Sequence, residues 1–429
     1  MRQISKVYDK LTHWKIKMFQ NYLGIVSDNL SEEWKKKILS PPSFLFWGIT
    51  ALLILINVGW DWEYLYRFFN EISLGQGVFL VVGGSLLIIL SSAIVEWFQI
   101  PFFRLLEGYY WNDTYISSKL TGRIKKELKD KEEQFYKDYD KLQGYDNLQG
   151  NQKNNESTEK NEIKDEIKLR KELIKLDDYL DNYPVDRDTL LPTRLGNLLR
   201  AAEEYPNIRY GLETFTVWPR LWMVLPDNAR NLHNSVLEEV YKNTRIIIWS
   251  IGATVIWGIL ISLIFSNIRL SSLTPSIVLL VLLSLGGIMF VIGYLFFTYL
   301  LDEKKILNIS FTTIYTVIWG IALSLIFSML YNNPLIYSKL LPLVLIIFLI
   351  GYLFIRHVLY EKLLDLASVY ANLLRSTFDL YRFDLYKNLH LKLPTKYDTE
   401  ENIGDGLSKY LKRGIYTNVL AIASENDQG

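Results

Sequence analysis

Six stretches of this chain are apolar for close to the length a helix needs to cross a lipid bilayer, and no other feature restricts the possible folds as strongly. The hydrocarbon core is about 30 Å thick and an α-helix rises about 1.5 Å per residue, so a crossing takes about 20 apolar residues. The stretches are residues 43–59, 77–98, 246–266, 276–299, 309–330 and 336–355. The first is short, but Trp47 and Trp60 bracket it, and Trp favours the two membrane interfaces. Hydrocarbon offers no water to an open backbone, so each stretch is predicted to be helical. The fold class expected is an all-α membrane protein: six transmembrane helices in three hairpins, with a helical cytoplasmic insertion domain.

Lys and Arg near the spans set the orientation, because cytoplasmic loops are enriched in them. The three loops on one side hold Arg67, Arg269 and Lys339, one basic residue each. The N-terminal segment, the long stretch between the second and third spans, the loop with Lys304 and Lys305, and the tail from Arg356 lie on the other side. Both termini are therefore expected in the cytoplasm, with the chain in a bacterial inner (plasma) membrane. The first 40 residues carry eight Lys/Arg and no long apolar core, which is not the pattern of a cleavable secretory signal. The expected organisation is a cytoplasmic segment 1–40, transmembrane hairpin 41–100, insertion 101–244, hairpins 245–301 and 302–356, and a cytoplasmic helix and tail 357–429.

The last two hairpins repeat each other. Residues 254–266 read TVIWGILISLIFS and residues 316–328 read TVIWGIALSLIFS, and IGYLFF at 292–297 returns as IGYLFI at 350–355. Each repeat holds two spans, so both copies face the same way across the membrane and form a parallel tandem repeat. Inside it, Thr254, Gly258, Ser262 and Ser266 fall on one i, i+4 ridge, as do Thr316, Gly320, Ser324 and Ser328. Such ladders let helix backbones approach closely in lipid. Their hydroxyls either pack between helices or line a narrow pore, and spacing alone leaves both open.

The four repeated spans carry no ionisable residue in their apolar cores, which argues against an ion-coupled transporter. Glu96, near the inner end of the second span, is the intramembrane exception and is a candidate for a pore or gate role, or for a structural pair with Arg104. Pro101 follows it and is expected to kink the helix or redirect the chain.

The insertion has two halves of different composition. Residues 113–182 are expected to form a charged antiparallel helical hairpin, with the low-complexity run GYDNLQGNQKNNESTEKNE as its tip. From Leu176 to Tyr241 there are six Arg and no Lys, in a chain with 47 Lys and Arg together. Arg in place of Lys suits planar, bidentate recognition of carboxylate or phosphate. Within the module 186–230, the candidate ligand-binding residues are Arg187, Arg194, Asn197, Arg200, Arg209, Trp218, Arg220 and Trp222. Asp186, Asp188, Glu203, Glu204, Glu213 and Asp227 are close in sequence, so ion pairs inside the domain or between subunits compete with a nucleotide or short nucleic-acid ligand. The Trp218 to Trp222 strip either stacks on bases or lies in the inner headgroup layer.

The run PTRLGNLLRAAEEYP followed by RYGLETFTVWPRL, within residues 191–225, resembles a segment of a family of multi-pass bacterial inner-membrane proteins of unknown function. The resemblance implies that membrane location and no particular activity.

After the last span, Leu359, Leu363, Leu366, Tyr370, Leu373 and Leu380 follow alternating steps of four and three, a coiled-coil-like face for the insertion or a neighbouring subunit, with Thr377 breaking the seam. A short helix is expected near residues 403–420. The absence of Cys removes disulfides, thiolate metal sites and cysteine nucleophiles. His13, His233, His357 and His390 never pair at i, i+4, and no P-loop, dinucleotide fingerprint or nucleophile elbow occurs. No metal, cofactor or enzymatic activity is expected. Near-balance of charge, +1 overall, gives no chain-wide field for nucleic acid. The expected partners are the lipid bilayer, further copies of the chain in a homo-oligomer, and a nucleotide, short nucleic acid or partner protein on the insertion. Taken together these features point to an oligomeric inner-membrane channel gated by its insertion, by architectural analogy a depolarising effector of antiviral (anti-phage) defence. A non-conducting scaffold or sensor, and then a transporter, are the alternatives.

Overall fold

The computed structural model describes residues 41–59, 67, 71–111, 115–149, 156–265, 334–391, 393–394 and 397–415, and among these residues there is no β-strand. The helices are α1 (Pro41–Val58), α2 (Leu74–Glu107), α3 (Tyr115–Gln149), α4 (Glu156–Leu180), α5 (Arg194–Tyr210), α6 (Thr214–Val224), α7 (Asp227–Phe265), α8 (Pro334–Phe354), α9 (Tyr360–Asn388) and α10 (Tyr397–Arg413). A π turn, Ile355–Leu359, joins α8 to α9. Three helical stretches, Gly75–Glu107, Asp227–Phe265 and Pro342–Asn388, are long and apolar enough to cross a membrane, and Pro42–Val58 is a shorter apolar helix. Three of the six expected spans, 77–98, 246–266 and 336–355, coincide with these long helices over their described residues, and the first, 43–59, coincides with the shorter one. The other two, 276–299 and 309–330, lie outside the described residues, as do the N-terminal segment and the second copy of the TVIWG ridge.

The chain divides into two compact units, Met1–Ile100 with Arg245–Leu359 and Pro101–Thr244 with Tyr360–Gly429. In the first unit, α1 is held to α7 by Phe46, which lies 4.9 Å from the Trp249 ring and stacks on Trp257 at 5.9 Å. Two indole N–H groups make interhelical bonds there: Trp257 donates to Thr50 Oγ1 at 2.9 Å and Trp47 donates to Ser91 Oγ at 3.0 Å. Polar side chains bonding across helices suit a membrane interior, where no water competes. Outward-facing apolar groups remain uncovered, Phe79 at 76% and Leu90 at 59% exposure among them, as a lipid-facing surface requires.

The second unit is a water-compatible helical assembly. α3 and α4 pack on each other, with Leu128 fully buried beside Tyr183 and Leu190. Helix extends to Gln149 and resumes at Glu156, so most of the expected low-complexity tip is helical: its Lys, Glu and Gln residues are good helix formers despite the Asn and Gly among them. α5 is started by Thr193, whose hydroxyl accepts from the Gly196 N–H at 3.0 Å, and is ended by Gly211 in a left-handed conformation, φ 68°. α9 packs chiefly on α5, and also on α6, and α10 packs on both α5 and α6.

The face that α9 buries differs from the expected seam. Leu363, Leu364, Ala367, Ala371, Leu374, Thr377 and Phe378 are buried, whereas Leu380 is 70% exposed. The buried face includes Ala367 and Ala371, small residues that a pattern of large apolar side chains passes over. Thr377 does not break this face, because its hydroxyl donates to the Leu373 carbonyl at 2.7 Å. The final helix begins at Tyr397, six residues before the expected start.

Candidate functional site

The sequence singled out the Arg-rich module as the place where a ligand would bind, and each Arg has an intramolecular partner. Arg187 is hydrogen-bonded to Glu132 on α3 and to the Pro184 carbonyl. Arg194 donates to both oxygens of Glu361, at 2.9 and 3.2 Å, and Arg200 donates through Nε to Glu204 at 2.9 Å. Arg209 lies over the rings of Tyr205 and Tyr210 at 5.6 and 6.0 Å. Arg220 donates to the Thr216 carbonyl at 2.6 Å, and Arg230 pairs with Asp227. The guanidinium groups are thus spread over α3, α6, α9 and the helix termini and do not converge on one point.

Asn197 is fully buried and works as a backbone clamp. Its Nδ2 donates to the carbonyls of Leu191 and Thr193, and its Oδ1 accepts from the Leu191 N–H, each at 2.8 Å. Those three bonds fix the turn into α5. Trp218 and Trp222 lie 5.7 Å apart and both pack against His233, at 5.1 and 5.8 Å, while Trp218 also meets Phe378. They are half-buried wall residues of the module's interior.

His233 is the residue that sequence reasoning missed. It is 2% exposed, its Nε2 is 2.7 Å from Thr377 Oγ1, and Tyr370 stands at 6.0 Å, so three helices supply its surroundings. Its Nδ1 is buried without a hydrogen-bond partner. A lone His carries no local pattern that would announce such a junction.

Beside α5 the module has a cleft of about 460 Å³. Asp186, Glu203, Glu204 and Glu213 line it together with a single basic residue, Arg200. Burial raises the Glu203 carboxyl above the usual carboxylate range, with Arg200 and Arg104 pulling the other way. Glu213 is lowered by hydrogen bonds from Lys412 and Thr216. Two of these carboxyl groups are already paired, Glu204 with Arg200 and Glu213 with Lys412. Among the described residues no group of three His, Asp or Glu side chains is placed to hold a metal ion.

In the first unit, the pore candidates Thr254 and Ser262 sit at helix contacts. Thr254 lies where a β-carbon on Gly351 would come within 2.3 Å of its Cγ2, and its hydroxyl donates to Ser250 O at 2.8 Å. Ser262 is fully buried and donates to Gly258 O at 2.6 Å. Glu96 is partly buried on α2. Arg104, its expected partner, is 3.4 Å from Glu107. Ser266, Thr316, Ser324 and Ser328 lie outside the described residues.

No family model matches the chain, and neither a curated protein nor a solved structure shows significant similarity to it. The class is therefore defined by the fold alone: an all-helical protein with apolar helices long enough to cross a membrane and a separate charged helical unit.

Proposed function

We propose that the chain is an oligomeric channel of the bacterial inner membrane, gated by its cytoplasmic helical unit, and that membrane depolarisation in anti-phage defence is its use. The observation that carries this reading is helix continuity. α2 runs through Pro101 to Glu107, and α7 begins at Asp227, well ahead of its apolar stretch from Ile246. An unbroken helix passes a displacement from one end to the other, which a hinged connection does not. Glu96 on α2 is the gate candidate within this scheme, because a carboxylate at that depth is costly unless it has a task. The resemblance of residues 191–225 to inner-membrane proteins supports the same compartment.

A non-conducting scaffold is the second reading, favoured by the self-bonded hydroxyls of Thr254, which is half-buried, and Ser262, which is buried. Membrane-potential dye in cells expressing the full chain, followed by conductance of the purified chain in planar bilayers, separates the two. Depolarisation and discrete conductance steps altered by Glu96→Gln support the channel. A silent bilayer, together with normal potential in cells, favours the scaffold.

A further inference from the structure

The end of α2 and the start of α5 are built against each other within the second unit, and a buried carboxyl stands at their joint. Thr193, which caps α5, donates through Oγ1 to the Glu107 carbonyl at 2.7 Å. Gly108 follows in a left-handed conformation, φ 95°, and a β-carbon there would lie 2.7 Å from Cγ of Pro192. The segment that enters α5 thus rests directly on the last turn of α2, beyond the apolar run 77–98.

The Glu107 carboxyl is held where its charge is costly. The residue is 4% exposed, and its Oε2 is buried without a hydrogen-bond partner. It is also the last residue of α2, where a helix presents partial negative charge. On α2 itself Arg104 stands 3.4 Å away, but its side chain is 44% exposed and solvent screens it. From α5 come Glu203 and Arg200, the latter bonded to Glu204. The turn after α2 supplies Tyr109, whose ring lies 5.2 Å from the Arg104 guanidinium. α7 supplies Tyr241, which meets Phe103 at 5.9 Å and has Glu238 near it, and Tyr370 of α9 stands behind, facing Glu203 and Tyr241. Burial pushes the Glu107 carboxyl up from 4.5 to about 7, with Arg104 opposing and Glu203 reinforcing. Tyr109 is pushed up to about 12 by burial, so it stays neutral across that range.

We propose that Glu107 is a proton-operated latch between α2 and α5. While neutral, its carboxyl stays seated and the start of α5 is held against the end of α2; once ionised, it must reach water, and the two helix ends part. The folded form keeps the proton between the ordinary carboxylate value and the raised one, so the latch is closed on the acid side and opens as pH rises through about 7. This inference is independent of whether the chain conducts ions.

The test is hydrogen exchange of the full chain in detergent micelles from about pH 5.5 to about pH 8.5, with rates corrected for the intrinsic pH dependence of exchange. Peptides covering residues 101–111 and 191–200 are expected to lose protection at least about tenfold as pH rises, while peptides from α3 stay unchanged. Glu107→Gln keeps the shape of the neutral carboxyl and is expected to hold protection constant through that range. Arg104→Gln removes the opposing cation and should move the midpoint to higher pH by at least about half a pH unit, whereas Glu203→Gln should keep the transition and move it to lower pH. Melting temperature is followed for every variant; if Glu107→Gln fails to fold, the opposite displacements by Arg104→Gln and Glu203→Gln carry the decision. The proposal is overturned by protection that does not change with pH in the parent, by a Glu107→Gln profile equal to the parent's, or by an unmoved midpoint in Arg104→Gln. It is also overturned if Glu203→Gln abolishes the transition, which would assign the proton to α5, or if α3 loses protection in step, which would mean unfolding of the whole unit.

Discussion

A β-carbon added at Gly196 would stand 2.0 Å from the carbonyl oxygen of Glu107, and one at Gly404 would stand 1.9 Å from the carbonyl oxygen of Tyr210. Both neighbours are backbone atoms and cannot turn aside. Gly196→Ala and Gly404→Ala are each expected to cost about 1–3 kcal/mol, read as a lower melting temperature of the full chain in detergent, because overpacking forces the helices apart. Thr377→Val leaves His233 without the partner of its Nε2 and is expected to cost about 1–3 kcal/mol, whereas Thr377→Ser should stay close to the parent. A Val variant as stable as the parent would remove the hydrogen bond from the account. Glu203 supplies a pH dependence with a definite sign. Its folded-state value lies above the unfolded one, so between the two the folded form holds the extra proton. Stability from this group therefore rises as pH falls through the raised value, until it levels off near the usual carboxylate value. Glu203→Gln should flatten that slope and raise the denaturation midpoint at neutral pH. Glu213 works in the opposite direction, because its value is lowered and its stabilising effect is lost as pH falls through it. Thr377, Glu203 and Glu213 stood out in the sequence only as a break in a seam and as acidic neighbours of the Arg block. Gly196 and Gly404 are ordinary helix-interior glycines until another backbone is brought against them.

At the scale of the element, helices were legible and their contact faces only partly so. The described parts of the apolar runs at 43–59, 77–98, 246–266 and 336–355 fall almost wholly in helices, because transfer of a long apolar segment into lipid depends on its own side chains. The seam of α9 was misplaced towards Leu380 because Ala367 and Ala371 look featureless in a hydrophobicity pattern, yet both are buried. Leu380→Ala is therefore expected to change stability by less than about 0.5 kcal/mol, while Ala367→Leu disrupts the α5–α9 contact, with urea unfolding of the full chain in micelles as the readout. In the first unit, Gly351 gives Thr254 its space. Gly351→Leu should prevent close contact of α7 and α8 and leave the chain prone to proteolysis in membranes, whereas Gly84→Leu, where a β-carbon meets nothing within 4 Å, should be tolerated.

At the scale of the whole molecule, the helical unit is assembled from two distant parts of the chain. Ile403 and Leu407, on α10, are 5% and 2% exposed, and Ser408 accepts from the Glu213 N–H at 2.9 Å. Ending the chain at Asn388 should therefore open the insertion to protease at 194–225, although the insertion itself is unaltered. Survival of that segment at the parental rate would contradict the assembly. Sequence by itself determined the helical class, the apolar spans and the charged insertion, because each follows from the transfer free energy and propensity of neighbouring residues. Only tertiary structure decided that Arg194 meets Glu361 and that the tail completes the insertion. Both turn on contacts between groups more than 150 residues apart, 167 for Arg194 and Glu361 and 195 for Glu213 and Ser408, and no local pattern encodes such a distance.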